Sequence, residues 1–522
     1  MATRRQFLGD AARLAGGLMI AACVPAPTGG PAAQTATAGA PKRGGELVLA
    51  DSGTSPTMDP AFSGHTTGRR LFRMIYDPLI DLDEKGNIIP VLAERWETPD
   101  PTTIVLHLRQ GVTFHDGSKF DAEAVKFHFD RHLDPKTGSL RRSELLALAS
   151  VTIDGAYAVR LKLKAPDQSF LSTLFDRPGM ILSPNAVAKN RDDTSLKPVG
   201  TGPFKLVEHV NDDHTTVERN PNYWMKDRPY LDRIRQRSVP TDSTRLIEVR
   251  SGNAHIAELV PYQDVERLKS APEVNVVSIP GSRYYYVVWN VASPYGKSKE
   301  FRQALNYLMD RDAMGKAVFY GLGEPAFAPF MAGTAFHDPA YRPFTRDIAK
   351  AKALLEKADV PRPFKFTRYM SGDDPVHVKI NQILQENYRE AGVTMDISFE
   401  EGAAATARET RGDFTFTTSN WGTRPDPGQY IGVLHLSTTT QRRFSPGIMK
   451  DPEVDRLINA AQVEADITKR KALYRQLSER INDNADNAFI WHAPDVKALR
   501  PNVKGFVAMN DFIVRFKDLW LE

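Results

Sequence analysis

The first half of the chain alternates short apolar strands with polar turns and helices. Thr102 to Arg109 places every second residue on one apolar face, which is the pattern of a half-buried strand. Asp121 precedes apolar residues at helical spacing and predicts an N-capped helix. Val151 to Ile153 and Val159 to Leu163 flank an Asp-Gly turn and predict a hairpin. These patterns predict one α+β segment from about Leu71 to Pro198.

The second half alternates strands with longer helices. Tyr284 to Val291 is a β-favouring aromatic run, and apolar residues at helical spacing follow from Phe301. This alternation predicts a largely parallel sheet. The tail, Phe512 to Phe516, predicts one more strand, which returns to the first half of the chain. Further predicted elements are helices over 348–358, 378–391 and 451–483, and strands over 364–366 and 394–399.

Two glycine-containing stretches mark possible sites. Val199 to Phe204 predicts a tight turn into a strand, and it lacks the lysine and the downstream helix of a phosphate-binding loop. Ser63 to Gly68 offers hydroxyls and backbone amides, with Thr66 at its centre. These groups either line a cleft or cap a helix that begins near Arg69.

Size and charge limit the classes of protein that the chain can belong to. With 522 residues, it is too long for one core and should divide into two or three domains. The net charge of +4 is spread over interspersed acids and bases, so no nucleic-acid surface is expected. No apolar run of about 18 residues follows the N-terminal segment, which excludes a membrane-spanning body.

The N-terminus resembles an export signal. Arg4 and Arg5 are followed by Phe-Leu and a weakly apolar stretch, as in a bacterial twin-arginine signal peptide over residues 1–22. Small residues precede Cys23, the only cysteine, as in a lipoprotein lipobox, and predict that its thiol takes a lipid. The alternative is ordinary cleavage nearby. Residues 23–43 are rich in Pro, Ala, Thr and Gly and predict a flexible tether.

Motifs for covalent chemistry are missing from the sequence. It has no Gly-x-Ser-x-Gly, His-Glu-x-x-His or Walker motif, and its one cysteine is assigned to the anchor. His128 and His132 stand four apart on a predicted helix, but no third metal ligand is in register with them. We therefore expect no enzyme activity, no metal site and no cofactor.

A loop at Asn420 to Pro427 is the candidate binding segment. It follows the β-favouring run Phe414 to Thr418, and its prolines prevent it from continuing as strand or helix. Trp421, Arg424 and Asp426 supply a stacking surface, a planar cation and a carboxylate. Such a loop at a strand end is typical of binding sites. The alternative is a surface turn in which Arg424 and Asp426 pair with each other.

Several motifs, in this order along the chain, resemble the family 5 extracellular solute-binding proteins, the peptide, oligopeptide and nickel group that serves ABC importers. The resemblance runs from Gly44 to near the C-terminus. It implies an α/β, two-lobed periplasmic-binding-protein fold of type II, with an enlarged first lobe that carries an extra α+β subdomain, closing on its ligand by a hinge. The motifs are Ile75 to Leu79, Pro90 to Trp96, Leu108 to Gly117, Val199 to Phe204 and Asn220 to Trp224.

The resemblance also implies a division of the chain. Residues 44–72, 200–283 and 501–522 are expected to form lobe I. Residues 73–199 form the extra subdomain, and residues 284–500 form lobe II.

Mapped onto this sequence, the family's ligand anchors are changed. Dipeptide-type members place an Asp three residues after the Trp to pair with the ligand's amino group, and here that position is Arg424. They also clamp the ligand carboxylate with an Arg in the loop that corresponds to Tyr369 to Pro375, which here carries Asp373 and Asp374 instead. An unmatched charge in a desolvated cleft costs several kcal/mol, so the ligand should differ from a simple dipeptide.

Our hypothesis is that Arg424 holds an acidic group of the ligand, while Trp421 and the Tyr284 to Tyr286 run supply stacking surface. Asp373 and Asp374 would receive an amino or guanidino group. The alternative is an internal pair of Arg424 with Asp426 or Asp373. The candidate ligand-binding residues are Thr66, Tyr285, Trp421, Arg424 and Asp426.

The sequence as a whole predicts a monomeric receptor, lipid-anchored at the outer or periplasmic face of a membrane, that delivers a peptide or peptide-like solute to ABC permease and ATPase subunits. Alternative functions are an extracytoplasmic sensor or a chaperone-like binder of the same fold. A receptor for an opine, a sugar or a metal chelate is also compatible with the sequence.

Overall fold

The computed structural model describes residues 40–189, 197–422, 424, 426–439 and 447–522. The predicted export signal with Arg4 and Arg5, Cys23 and most of the predicted tether lie outside them. Residues 41–522 form one compact unit. Among the helices of this described part, none is both long enough and apolar enough to cross a bilayer.

Nineteen strands are present in the described residues. They are β1 (Glu46–Asp51), β2 (Ile80–Leu82), β3 (Ile88–Pro90), β4 (Ala93–Asp100), β5 (Thr103–Leu108), β6 (Leu148–Gly155), β7 (Ala158–Leu163), β8 (Phe204–Val210), β9 (His214–Arg219), β10 (Arg233–Ser238), β11 (Ile256–Ala257), β12 (Asn275–Trp289), β13 (Glu324–Pro325), β14 (Lys365–Ser371), β15 (Thr394–Glu400), β16 (Phe416–Gly422), β17 (Asn487–Leu499), β18 (Val503–Lys504) and β19 (Trp520–Leu521).

Fourteen α-helices are present in the same residues. They are α1 (Thr66–Ile75), α2 (Ala122–Leu133), α3 (Phe170–Thr173), α4 (Pro184–Lys189), α5 (Asp242–Ser251), α6 (Val265–Leu268), α7 (Lys299–Leu308), α8 (Arg311–Phe319), α9 (Ile348–Lys357), α10 (Pro375–Arg389), α11 (Gly402–Thr410), α12 (Ile431–His435), α13 (Pro452–Val463) and α14 (Ile467–Asn484).

The main sheet has the strand order β16-β12-β17-β11-β1-β10-β9-β8, and β13 also pairs with β17. β1 runs parallel to β10 and β11, whereas β12 is antiparallel to both β16 and β17. A second sheet, β4-β5-β7-β6, is antiparallel and contains the predicted hairpin.

Two long strands, β12 and β17, are neighbours in the main sheet and pair with each other in two stretches. They pair first over Asn275 to Ile279, beside β11, and again over Arg283 to Val288, beside β16 and β13. The register shifts between Ile279 and Arg283. Such an interruption bends and twists a strand locally. The chain therefore changes direction where it passes from the predicted lobe I to the predicted lobe II.

Three of the apolar cores are each built mainly from one continuous stretch of the chain, and a fourth is not. One core is drawn from residues between Leu79 and Ile181. Two others lie within residues 284–493. A further core gathers side chains from distant parts of the chain, including Leu47, Phe204 and Val514.

Capping explains several helix boundaries. The Asp121 carboxylate accepts the Ala124 N–H at the start of α2, as predicted. The apolar pattern over 451–483 predicts one helix, but it forms α13 and α14. Asp466 accepts two backbone N–H groups between them and starts the second helix.

Two predictions about strands are wrong. In the second half, β12, β16 and β17 are antiparallel, and the only parallel pair among its described strands is β14 with β15. Residues 512–515 form no strand, although Phe512, Val514 and Phe516 are buried. Phe512 has φ of 54°, outside the range of a strand. The apolar run in the tail therefore reflects burial rather than strand pairing.

His128 and His132 of α2 are buried packing residues. The His128 Nε2 atom donates to the Pro178 carbonyl at 3.1 Å, and the His132 Nδ1 atom lies 2.9 Å from the Ser139 hydroxyl. Burial, opposed by the hydrogen bond to Pro178, lowers the pKa of His128 to about 3. Among the described residues, no group of three or more His, Cys, Asp and Glu side chains is placed to hold a metal ion.

The low pKa of His128 predicts an effect of pH on stability. Its neutral form is favoured by folding, so its contribution is complete above about pH 6.5 and is lost as the pH falls toward about 3. His128→Asn is expected to weaken the dependence of the free energy of unfolding on pH. Between about pH 4 and 6.5 the slope should fall by up to about 1.4 kcal/mol per pH unit. Urea titrations across this range measure the slope. An exposed control, His65→Asn, should leave it unchanged.

Candidate functional site

A cavity of about 210 Å³ lies where α1 begins, beside the register shift in β12. Thr66 is the first residue of α1, and the preceding His65 makes no side-chain cap. The positive end of the helix therefore faces this cavity without a side-chain acceptor from its N-cap residue. Its lining residues are Ser52, His65, Thr66, Thr67, Arg70, Leu259, Arg283, Asp495 and Phe512. We call this the hinge cavity.

Arg283 is the half-buried cation of the hinge cavity. Burial lowers its pKa, but the neighbouring Tyr285 and Tyr262 hydroxyls outweigh burial, and the net direction is upward. Asp495 makes a smaller contribution in the same direction. The guanidinium therefore stays charged, and it faces a cavity whose lining also holds the charged side chains of Arg70 and Asp495.

A second cavity, of about 320 Å³, lies on the lobe II side. Asp374 caps α10 by accepting the Val376 and His377 N–H groups, and Asp373 accepts the Ser371 hydroxyl. The two carboxylates stand at the rim of this cavity. Its lining residues are Arg368, Met370, Ser371, Asp373, Asp374, His377, Gly402, Ala405, Thr406, Glu409, Thr418 and Asn420. We call this the acidic cavity.

The polar side chains at the base of the acidic cavity are held by one another. The His377 Nδ1 atom lies 3.2 Å from the Thr418 hydroxyl, and its Nε2 atom lies 3.0 Å from the Asn420 amide nitrogen. Arg368 is buried and donates to the Thr417 hydroxyl at 3.0 Å, with Glu409 at 3.7 Å. This arrangement fixes the His377 and Asn420 side chains.

The two cavities are neighbours along the β12–β16 pair. Arg283 of the hinge cavity is opposite Gly422, two residues after Asn420 of the acidic cavity. Tyr285 is opposite Asn420, and its ring centre lies 5.3 Å from that of His377. The cleft therefore presents a cation on the hinge side and carboxylates on the lobe II side.

Of the predicted binding residues, Thr66 lines the hinge cavity. Tyr285 is only 3% exposed and packs in the lobe II core against Phe319 and His377. Trp421 is half-buried and packs against the other lobe II core, with its ring 6.5 Å from that of Tyr430.

Asp426 and Arg424 have separate partners. Arg470 donates to both Asp426 oxygens, at 2.7 and 2.8 Å. The Arg424 Nη1 atom donates to Glu144 at 3.0 Å, and its Nη2 atom lies 3.8 Å from Asp176. The suggested internal pairs of Arg424 with Asp426 or Asp373 are wrong, because Arg470 and Ser371 hold those two carboxylates.

Arg424 also borders a third cavity, of about 350 Å³, which lies between residues 143–173 and residues 424–462. Burial lowers the pKa of Arg424, but Glu144 and Asp176 outweigh burial and raise it. The guanidinium is thus charged and is held by two carboxylates of the subdomain.

A buried charge cluster lies behind the hinge cavity. Arg70 donates to Asp51 at 2.7 Å and lies 3.0 Å from Glu258. Lys497 of β17 donates to Asp495 at 2.5 Å and also to Glu258. All five side chains are at most 5% exposed. They join β1, α1 and the segment after β11 to β17.

A family model supplies the deciding comparison. The model described as bacterial extracellular solute-binding proteins, family 5 middle, matches residues 87–442. The chain belongs to this family.

Relatives agree with this assignment. The receptor is 27% identical to the glutathione-binding protein GsiB of Pectobacterium atrosepticum, over 91% of this chain and 93% of that protein. Its fold matches the periplasmic binding protein DppA from Helicobacter pylori in complex with the peptide STSA, with a TM-score of 0.82 and 26% identity, over 92% of this chain and 99% of that one. It also matches AgaA of A. tumefaciens R10 in complex with agropinic acid, with a TM-score of 0.79 and 26% identity, over 92% and 99% of the two chains.

The receptor therefore has the type II periplasmic-binding-protein fold, and the predicted α/β class is confirmed. Family 5 proteins are extracytoplasmic solute receptors that work with the permease and ATPase of an ABC importer. The predicted role as an importer receptor is confirmed.

The sequence pointed to the segment that begins at Asn420, but Arg283 and His377 of the receptor were not predicted. One signal for Arg283 was available, since it is the only charged residue in the run from Val274 to Trp289. A cation within a strand that is otherwise apolar or uncharged indicates a polar neighbour or a ligand. His377 had no such signal, because its place beside Asn420 and Tyr285 depends on how α10 packs against β16 and β12.

Proposed function

We propose that the receptor captures a small zwitterionic, peptide-like solute in the hinge and acidic cavities and delivers it to an ABC permease. The observation that carries this proposal is the order of charges along the cleft, from the cation Arg283 to the carboxylates Asp373 and Asp374. A solute with opposite charges at its two ends is complementary to this order.

The carboxylate of the solute would bind on the hinge side. The Arg283 guanidinium offers paired N–H donors, which suit a planar carboxylate. The start of α1 adds backbone N–H groups and the positive end of the helix dipole, and the Thr66 hydroxyl adds another donor. An anion here would be held by three different kinds of donor.

An ammonium group of the solute would face the acidic cavity. Asp373 and Asp374 supply negative charge at the rim, and His377 and Asn420 supply polar contacts at the base. The two volumes, about 210 and 320 Å³, suit a solute of a few residues. Glutathione and the peptide STSA, bound by relatives of the receptor, both combine free carboxylate and ammonium groups.

The other predicted binding residues take defined places in this proposal. Tyr285 supports Arg283 and His377 from the lobe II core. Trp421 and Asp426 hold the loop after β16, and Arg424 lies at the end of the cleft. Direct contact of Tyr285, Trp421, Arg424 or Asp426 with the solute stays a prediction.

We also propose the division into lobe I, the extra subdomain and lobe II with the boundaries given above, with closure about β12 and β17. Twin-arginine export through Arg4 and Arg5, a lipid on Cys23, a monomeric state and the lack of enzyme activity complete the proposal. The lipid and the tether would keep the receptor close to its permease.

Native mass spectrometry of the protein purified from its own host tests the proposed function. We expect a bound mass of roughly 200–500 Da, released on denaturation, that carries both acidic and basic groups. A thermal-shift series then compares the identified solute with versions blocked at the carboxylate or the amine, since a solute bound only by the folded state raises the melting temperature. An uncharged solute, or one without a carboxylate, would contradict the proposal.

A further inference from the structure

Arg424 connects two parts of the receptor that are far apart in sequence. It belongs to the loop after β16 in lobe II, whereas Glu144 and Asp176 belong to the extra subdomain. The contacts, at 3.0 and 3.8 Å, are largely buried, with 15% of the Arg424 side chain, 14% of Glu144 and 2% of Asp176 exposed.

Other hydrogen bonds join the same two faces. The Gln462 side chain donates to Asp167 at 2.6 Å and to the Ser169 hydroxyl at 2.9 Å. The Gln429 amide donates to the Ser172 hydroxyl at 3.2 Å. Each of these bonds has a neutral amide as its donor, so none of them is an ion pair. Among the described residues, Arg424 makes the only ion pairs across this boundary.

The ion pairs of Arg424 are asymmetric. Glu144 also pairs with Arg141 of the subdomain, at 2.7 Å. Asp176 is also paired on its own side, with Arg69 at 3.1 Å and Arg177 at 3.6 Å. Both carboxylates therefore keep a cation when lobe II moves away.

Arg424 has no such reserve within the described residues. The nearby Asp426 is held by two hydrogen bonds from Arg470. Separation of lobe II from the subdomain would therefore leave one guanidinium to be hydrated and no buried carboxylate unpaired. This makes the contact reversible, because the heavy penalty of an unpaired buried charge does not arise.

We propose that Arg424 and Glu144 form an inter-lobe latch that favours the closed receptor before any solute binds. The latch sets what fraction of the solute-free protein is closed, and this fraction scales the apparent affinity for every solute alike. A direct anchor would instead act only on solutes with an acidic group at that place. The role of Arg424 in the latch therefore does not depend on the identity of the solute.

Electron–electron distance measurements on the solute-free protein test the latch. Cys23→Ser removes the only cysteine, and spin labels are then placed at two exposed positions, Lys136→Cys in the subdomain and Lys471→Cys in lobe II. Bound solute is removed by unfolding and refolding, and native mass spectrometry checks its absence. We expect a short-distance population in the parent protein that Arg424→Gln reduces about 5- to 30-fold relative to the long-distance one.

A mutant cycle and a matched control separate the latch from general damage. Glu144→Gln should give a smaller shift, because Asp176 still faces Arg424, and the double variant should match Arg424→Gln alone. Arg456→Gln removes an exposed arginine of α13 whose partner, Glu453, lies on the same helix, and should change nothing.

Three results would overturn the latch. These are an unchanged distance distribution in Arg424→Gln, an equal shift in Arg456→Gln, or additive shifts for the Arg424 and Glu144 variants. None of them bears on whether a zwitterionic solute co-purifies, so failure of the latch and failure of the proposed function are distinguishable.

Discussion

Lys497→Met is expected to lower the free energy of unfolding by about 3–5 kcal/mol, because it removes one cation from a buried charge cluster. In the parent protein, Lys497 faces Glu258 and Asp495, and Arg70 faces Glu258 and Asp51. Without Lys497, three buried carboxylates share Arg70. Urea unfolding followed by circular dichroism measures the loss.

The same variant should be less destabilised in acid. Burial already raises the pKa of Glu258, against the opposing charges of Arg70 and Lys497. With Lys497 removed, its folded pKa should rise further above the unfolded value. Stability is then retained below the unfolded pKa and is lost as the pH rises through the folded pKa.

Two comparison variants make the test specific. Lys269→Met removes an exposed lysine paired only with Glu266 and should change the free energy of unfolding by less than about 0.5 kcal/mol. Adding Glu258→Gln to Lys497→Met should recover part of the loss. Equal losses for Lys269→Met and Lys497→Met at every pH would contradict the assigned role of the cluster.

Arg283→Gln is expected to weaken binding of the co-purified solute by about 10- to 100-fold, as the loss of a charge-assisted hydrogen bond to a carboxylate should. Isothermal titration calorimetry on the refolded, solute-free protein measures the change. Arg283→Lys keeps the positive charge but loses the planar, two-pronged guanidinium. Its affinity should lie between those of the parent protein and Arg283→Gln.

The carboxylate itself supplies the control for Arg283. A solute with its carboxylate converted to an amide should bind the parent protein weakly and should lose little more in Arg283→Gln. If the amide and the acid lose affinity equally, Arg283 does not contact the carboxylate.

Local patterns in the sequence predicted most elements but not how they associate. The β6–β7 hairpin and the N-cap of α2 follow from contacts within a few residues, and both were predicted. The direction of β12 relative to β16 depends on residues more than a hundred positions apart, so the prediction of a largely parallel sheet failed. In the tail, the apolar residues mark burial, while Arg515 binds Asp81 across 434 positions instead of joining a strand.

The candidate site was predicted in the same uneven way. The composition of the loop after β16 singled out Trp421, Arg424 and Asp426, yet their partners lie in α14, in the subdomain and in the lobe II core. A sequence shows that an arginine is present, but Glu144 is 280 residues from Arg424 and nothing local points to it. Arg283 was missed because the residues that follow it, Tyr284 to Trp289, are packing residues, and its place beside the cavity depends on how β12 pairs with β17.

The core that contains Leu47 also contains Val503, Val514, Phe516 and Leu519. On the ribosome, Leu47 is made long before the other four residues. Strand β1 therefore cannot complete its apolar packing until those later residues have been synthesised. A nascent chain that stops short of Leu519 keeps part of this apolar surface open to chaperones and proteases.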